Sequence, residues 1–525
     1  MVFALSNVFK YSKIVCIKEN IMTLDYSKLQ NGSDIRGVAL VGDDGKAVNL
    51  TRVETLRLTM GFAKWLSAKS GKEYKDLKVS VGHDSRLTAE VLKAAICDAF
   101  NYLGVEVIDC GLASTPAMFM STIFENFKCD GAIMITASHL PFNRNGFKYF
   151  DKDGGLNKAD ITAIIRNAES LELPETIEAA TPKKADLIAT YSEHLRKKII
   201  AEVNHPTCYE KPLTGLRIVV DAGNGAGGFY AKQILEPLGA DITGSQFLEP
   251  DGNFPNHAPN PENKEAMEAI CKAVKENNAD FGIIFDTDVD RSSAVDANGK
   301  EINRNAIVAM AAALIAKEHP GTTVVTDSIT SDQLTVYIEE CLGLKHLRFK
   351  RGYKNVINKS MELNAAGIDS QLAIETSGHA AYKENYFLDD GAYLATKIVI
   401  KAAQLKLQGV GLDVILESLE EPIESIEKRF GIDREDFASY ADEVLEGLKA
   451  WVNAGEGKAK GTSLVEPNYE GVRINFNTEE VEGWCLLRKS LHDPQMPLNM
   501  EVTKGTCQQI LNALMDYLGP LDLIM

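Results

Sequence analysis

The chain contains no apolar run approaching the roughly 18 to 20 residues that cross a bilayer, so a soluble protein is expected. It also has no C-x-x-C pair, and its 9 cysteines are odd in number and widely scattered. That spacing excludes a disulfide scaffold or a zinc ribbon and points to a reducing compartment, with a cytoplasmic location and each cysteine a small buried hydrophobe. Basic residues are in deficit: 56 Lys and Arg face 74 Asp and Glu, for a formal net charge of −18. A surface of that sign repels nucleic acid and anionic lipid, so neither is expected as a partner. Low-complexity tracts are absent, and 45% hydrophobic with 25% charged residues is the composition of an ordinary folded protein.

What is present in quantity is length. At 525 residues the chain exceeds one hydrophobic core, which predicts about three to five domains. Runs over 77–81, 216–221 and 322–327 share one plan: a β-branched strand, polar or glycine-rich turn chemistry, then a helix-compatible stretch. Strands alternating with helices predict α/β domains with parallel sheets. Polar stretches near Lys184, Asn303 and Glu420 place domains at 22–184, 185–303, 304–420 and 421–525. The last block predicts a helix over 433–452, strands over 471–476 and 484–487, and a helix over 508–518, a small α+β module. Residues 1–21 stand apart as an N-terminal extension, disordered or upstream of a true start at Met22, and they make a poor signal peptide.

Thr136-Ala137-Ser138-His139 lies between an expected strand over 132–135 and an Asn145-Gly146 turn, with a second strand over 147–150. Ser138 then sits in a loop held by strands, and a serine nucleophile needs a nearby base or cation, for which His139 and Lys148 are the local candidates. A surface hairpin with a solvated Ser-His pair is the plainer alternative.

The apolar strand over 281–285 ends in Asp286-Thr287-Asp288-Val289-Asp290-Arg291. In extended backbone, alternate residues point the same way, so Asp286, Asp288 and Asp290 can converge, and three carboxylates that close require a cation. Oxygen-only ligation suits Mg²⁺. An EF-hand fails, because Arg291 occupies the place of the turn glycine and Ala297 that of the last bidentate ligand. A solvated acidic turn is the other alternative.

Glu375-Thr376-Ser377-Gly378-His379 follows an apolar strand over 372–374. Glu375 and Ser377 share a side and suit vicinal sugar hydroxyls, and Gly378 would let a ligand approach the backbone; a helix N-cap explains the same residues. Arg488 and Ser490 follow the strand through Leu487 and could grip a phosphate. Arg36, Arg86 and Lys354 are further basic residues in turn-like positions. Gly223-Asn224-Gly225-Ala226-Gly227-Gly228 satisfies G-x-G-x-x-G, with Asp241 at the distance of a ribose-binding acid. Asp241 opens the next strand instead of closing it, which weighs against an NAD-dependent oxidoreductase.

As an ordered set, Asp34-Ile35-Arg36-Gly37, Thr136 to His139, Asp286 to Arg291, Gly352-Tyr353-Lys354, Glu375 to His379 and Arg488-Lys489-Ser490 resemble the α-D-phosphohexomutase family of phosphomannomutases and phosphoglucomutases. The similarity runs from Leu29 to the C-terminus. It implies three related α/β domains and a smaller α+β domain around a central cleft. It also implies reversible transfer of phosphoryl between the 1- and 6-positions of mannose or glucose phosphates, with phosphoglucosamine mutase as the alternative. Ser138 would be carried as phosphoserine, and Mg²⁺ would be held by Asp286, Asp288, Asp290 and that phosphate. Arg291 and Arg36 would support the phosphoryl group, Lys148 and His379 would be acid/base groups, and Glu375 and Ser377 would hold sugar hydroxyls. Lys354, Arg488, Ser490 and His492 complete the substrate-binding set, and a hexose 1,6-bisphosphate is the expected activator. A monomer or homodimer is expected.

The chain departs from the family's R-x-S-x-T-E-P pattern, reading Arg488-Lys489-Ser490-Leu491-His492-Asp493-Pro494. A protonated His492 could donate to phosphate, which predicts weaker substrate binding as pH rises through its pKa. A non-catalytic phosphosugar-binding protein that kept the fold while this clamp drifted is the rival from a different class.

Overall fold

Lys78–His83 is the hub of the first sheet, pairing in parallel with Glu106–Leu112 on one side and Gly131–Ile135 on the other. Every residue of Gly131–Ile135 is buried, as a parallel strand covered on both faces requires. Arg144–Asp151 and Asp34–Val38 extend the sheet antiparallel. The helix Arg52–Ser70 begins at a Thr51/Glu54 capping box and stops at Gly71, whose φ of 70° only glycine takes readily. Its Leu58, Phe62 and Leu66 meet Ile96 and Phe100 of Ala89–Leu103 in one core with Val79, Val81, Ile133 and Phe147.

This computed structural model describes residues 14–16, 25–455, 460–490 and 493–524, which form two units: Met1–Asn303 with Ser377–Val414, and Arg304–Thr376 with Ile415–Met525. The first unit holds a second sheet, in which Ile218–Asp221 runs parallel to Phe281–Phe285 and Ser292–Asp296 and Glu301–Ile302 follow antiparallel. The helix Gly391–Lys406, capped by Asp390, is buried along most of its length in that unit. In the second unit, Thr323–Thr326 lies between Lys345–Arg348 and Leu372–Ile374, all parallel. Its other part is an antiparallel sheet in the order Glu424–Gly431, Gln495–Lys504, Glu482–Leu487, Val472–Asn477, Thr462–Leu464. The helices Phe437–Ala454 and Cys507–Leu518 share that part's core through Val444, Leu448, Ile510 and Leu514.

Three α/β modules and an α+β module are therefore present, with local corrections. Asn145 and Gly146 do not turn the chain but lie inside Arg144–Asp151. Gly146 is required there because a Cβ would sit 2.0 Å from the Ile35 carbonyl oxygen on the neighbouring strand. The last module gains the edge strand Glu424–Gly431, whose charges hide its pairing, and Gln495–Lys504, which accommodates Pro497 opposite Arg429. Cys97, Cys110, Cys129, Cys485 and Cys507 are buried, but Cys341 is exposed, against the expectation that every cysteine is core. Of the extension at 1–21, only the short strand Ile14–Cys16, antiparallel to Thr176–Glu178, is among the described residues. Among those residues no helix is long and apolar enough to cross a membrane.

Candidate active site

The loops carrying Ser138 and Asp286 both follow the carboxyl ends of strands with a parallel neighbour, Gly131–Ile135 and Phe281–Phe285, where open α/β sheets place ligands. Ser138 is buried and adopts φ 49°, a left-handed conformation uncommon outside glycine and typical of over-determined functional loops. Its amide donates to Thr136 Oγ1 at 2.8 Å. Its Oγ lies 3.2 Å from Asp286 Oδ2, 3.3 Å from an Arg291 guanidinium nitrogen and 3.2 Å from His139 Nδ1. Burial, then the positive charge of Arg291, holds His139 down at about 2, so it is a neutral partner of the serine.

Arg86 organises this loop, a role that its turn-like position in the sequence signalled only as a basic residue. Its guanidinium donates to the carbonyls of Ser138, Leu140, Pro141 and Arg144, while Asp84 lies 3.3 Å from its Nε. Arg36, which stands inside the strand Asp34–Val38 and not in a turn, donates to the Thr136 carbonyl at 2.6 Å and to Asp34 at 2.7 Å, which fixes it beside the same loop.

Asp286, Asp288 and Asp290 are fully buried, and one carboxylate oxygen of each lies within 4.8 Å of the others. They converge through a tight turn rather than by strand alternation, since Val289 between the last two takes φ 66°. Lys148 Nζ is 3.3 Å from Asp288 Oδ2 and also bonds the Asp290 carboxylate. Arg291 Nε donates to Asp286 at 3.1 Å. Burial, then the neighbouring Asp290 charge, pushes the Asp286 carboxyl well above the usual range. Burial also opposes the charge of Asp290, but Lys148 and His379 outweigh it and hold that carboxyl below the usual range. Asp288 Oδ1 and Asp290 Oδ1 are buried without a hydrogen-bond partner. Buried lone pairs on an all-oxygen donor set suit a hard divalent cation.

The other motif residues of this unit pack onto the acidic loop. Gly378, at φ 91°, would place a Cβ 2.4 Å from the Ser292 carbonyl oxygen, so this glycine admits the backbone after Arg291, a close approach that the sequence did not signal. His379 then bridges to Arg291 in the main chain, receives or donates a hydrogen bond with Ser377 Oγ at 2.9 Å, and puts Nε2 3.6 Å from Asp290. The G-x-G-x-x-G segment has a similar explanation. A Cβ on Gly225 would meet the Thr287 main chain at 2.6 Å, and Ala226 N–H donates to the Thr287 carbonyl at 2.8 Å. Close packing against the acidic loop therefore accounts for Gly225.

In the second unit, the Gly352 amide donates to Glu375 Oε1 at 2.6 Å, tying the Gly352-Tyr353-Lys354 turn to the end of Leu372–Ile374. Lys354 is in the first turn of the helix Tyr353–Ala365. Asp327, overlooked in the sequence, accepts from Thr376 Oγ1 at 3.0 Å; burial, then the Glu375 charge, pushes it up to about 7. Arg488 is buried, its Nε lacks a hydrogen-bond partner, and burial followed by the nearby charge of Arg351 lowers its pKa. Two mutually repelling guanidiniums suit an anion. Ser490 N–H donates to the Gln495 carbonyl at 3.0 Å and its Oγ accepts from the Asp493 amide at 3.3 Å, whereas His492 lies outside the described residues.

Comparison with known proteins agrees along the chain. Residues 27–174, 189–299 and 303–421 match family profiles described as "Phosphoglucomutase/phosphomannomutase", alpha/beta/alpha domains I, II and III. A phosphomannomutase/phosphoglucomutase of Pseudomonas syringae pv. tomato is 30% identical over 84% of this chain and 87% of its own length. Its counterpart in Pseudomonas aeruginosa is 28% identical over 93% and 95%. The crystal structure of a phosphoglucomutase/phosphomannomutase family protein from Burkholderia thailandensis shares the fold, with a TM-score of 0.76 and 24% identity over 96% of this chain and 100% of that one. With profile matches to three successive domains and near full-length relatives of one name, the chain belongs to the phosphoglucomutase/phosphomannomutase family of α-D-phosphohexomutases, isomerases of carbohydrate metabolism.

Proposed function

We propose that the chain interconverts the 1- and 6-phosphates of mannose and glucose through a phosphoserine at Ser138 and a bisphosphorylated sugar. The observation that carries this is the position of Ser138 Oγ, within 3.3 Å of both Asp286 and Arg291. In the forward half-reaction the bond from Ser138 Oγ to phosphorus breaks as one forms to a sugar hydroxyl oxygen, whose proton passes to the acid/base groups assigned to Lys148 and His379. The bisphosphate turns over, and its other phosphoryl group returns to Ser138. Arg291 and Arg36 stabilise the group in transit; with Arg291 already engaged by Asp286, little reorganisation is needed. His139 is assigned as a hydrogen-bond partner of Ser138.

Asp286, Asp288 and Asp290, with the serine phosphate, would hold Mg²⁺, and the buried oxygens of Asp288 and Asp290 that lack a hydrogen bond support that assignment. Bound there, Mg²⁺ would offset phosphoserine charge of about −1.5 to −2 and polarise the transferring group. Glu375 and Ser377 are assigned to sugar hydroxyls. Lys354, Arg488, Ser490 and His492 are assigned to the phosphate not being transferred, and a hexose 1,6-bisphosphate to priming of the serine. Mannose and glucose are preferred to glucosamine because the relatives matched are named for the first two.

The test is incorporation of labelled phosphoryl from hexose 1,6-bisphosphate, with coupled assays on mannose, glucose and glucosamine 1-phosphates. Label on Ser138, lost in Ser138→Ala together with turnover, is expected. An unlabelled wild type that still binds phosphosugar would favour the non-catalytic alternative.

A further inference from the structure

The acidic loop is held from outside by two helices of its own unit. Thr115, first residue of Thr115–Met120, donates its amide to the Asp288 carbonyl at 2.8 Å. Gly391, first residue of Gly391–Lys406, donates its amide to the Val289 carbonyl at 3.1 Å. These two bonds flank the residue at φ 66°, where a β-branched side chain is a conformational outlier. First-turn amides have no partner within their own helix, so each bond satisfies a donor and restrains a strained peptide together. Gly391 must be glycine for this approach, since a Cβ would sit 2.5 Å from the Arg291 carbonyl carbon.

Thr115 does more than its backbone requires. Its hydroxyl donates to Asp288 Oδ2, the oxygen that Lys148 Nζ also approaches at 3.3 Å, leaving Asp288 Oδ1 without a hydrogen-bond partner. Both residues are buried, so water does not compete for that bond. We infer that Thr115 is a positioning residue for the divalent cation: its hydroxyl fixes the rotation of the Asp288 carboxylate so that Oδ1 is presented to the ion. The inference rests on the assignment of Asp286, Asp288 and Asp290 as metal ligands. A hydrogen bond that orients a ligating carboxylate typically governs metal affinity by about 10- to 100-fold.

The test titrates metal-free wild type, Thr115→Val and Thr115→Ser with Mg²⁺ by calorimetry and with Mn²⁺ by electron paramagnetic resonance. Melting temperatures in EDTA serve as the control for folding. Valine keeps the branched shape and the amide and replaces the hydroxyl with a methyl, so its Mg²⁺ dissociation constant is expected to rise about 10- to 100-fold while the chain still melts cooperatively, at a melting temperature lowered only by the loss of one buried hydrogen bond. Serine restores the hydroxyl and is expected to recover affinity to within about threefold of wild type. Wild-type affinity in Thr115→Val, or an equal loss in Thr115→Ser, would overturn the inference while leaving the metal site standing. A wild type that binds neither ion would instead remove the metal assignment, and this inference with it. Should the valine variant fail to fold, Thr115→Ala replaces it with the same expected loss.

Discussion

Arg86 donates its guanidinium to the main-chain carbonyl of Ser138, the residue proposed to carry the phosphoryl group. The same side chain serves the carbonyls of Leu140, Pro141 and Arg144, so one buried cation holds the loop closed through its main chain. Lysine retains the charge but lacks the planar fork that reaches several acceptors. Arg86→Lys is therefore expected to cost about 2 to 4 kcal/mol of stability by leaving buried carbonyls unpaired. It should also slow phosphorylation of Ser138. Urea denaturation and the intact mass after exposure to bisphosphate check the two effects separately.

Removal of divalent metal should abolish turnover, and Mg²⁺ should restore it. A ligand that binds only the folded chain stabilises it by about 2.7 kcal/mol at 100 times its dissociation constant, so Mg²⁺ should raise the melting temperature in proportion. Asp290→Asn should lose this stabilisation, because Asp290 contributes one of the triad's buried oxygens that lack a hydrogen bond. Calorimetric scans with and without EDTA provide the measurement.

Glu501, in the second unit, predicts a pH dependence of its own. Its carboxylate accepts from Trp484 Nε1 at 3.1 Å and from Ser425 at 3.2 Å, and burial, against relief from Ser425 and Arg473, pushes it up to about 7. The folded chain therefore keeps this proton longer than the unfolded chain, whose glutamate titrates near 4.5. The stability so gained is complete below that value and is lost as pH rises through about 7. Glu501→Gln should flatten this slope and abolish a change in Trp484 emission near pH 7. Asp327, also raised to about 7, retains its share of the slope, so the emission signal isolates Glu501.

Gly225→Ala should injure the enzyme without touching any proposed ligand. The new methyl would lie 2.6 to 3.0 Å from the Thr287 main chain, forcing the acidic loop to move at a cost of about 1 to 3 kcal/mol. Lower turnover and weaker Mg²⁺ binding are expected together. NAD(H) should leave the melting temperature of wild type unchanged, as follows if these glycines serve packing and not a dinucleotide.

The candidate loops were legible as motifs because they are carried by local patterns. Apolar strands at Phe281–Phe285 and Leu372–Ile374 lead straight into polar residues, and the ordered set of short motifs identifies the family. Fold class followed for the same reason, since alternation of β-branched runs with helical stretches fixes a parallel α/β plan. The strand Glu424–Gly431 was not legible, because an exposed edge rich in charge carries no alternation of burial that sequence can display. Nor was the turn at Val289, where φ departs from the strand-like pattern of Asp-x-Asp-x-Asp.

What the sequence alone determined is which functional groups the chain possesses and which short motifs group them, since these depend on residue type and near-neighbour spacing. Only the tertiary structure decided which distant groups serve them. Arg86 reaches carbonyls 52 to 58 residues away, Thr115 an aspartate 173 residues away, and Gly225 the acidic loop's backbone. Such partners are chosen by the satisfaction of buried donors and by van der Waals fit between segments far apart in the chain. Neither leaves a periodic trace along the sequence.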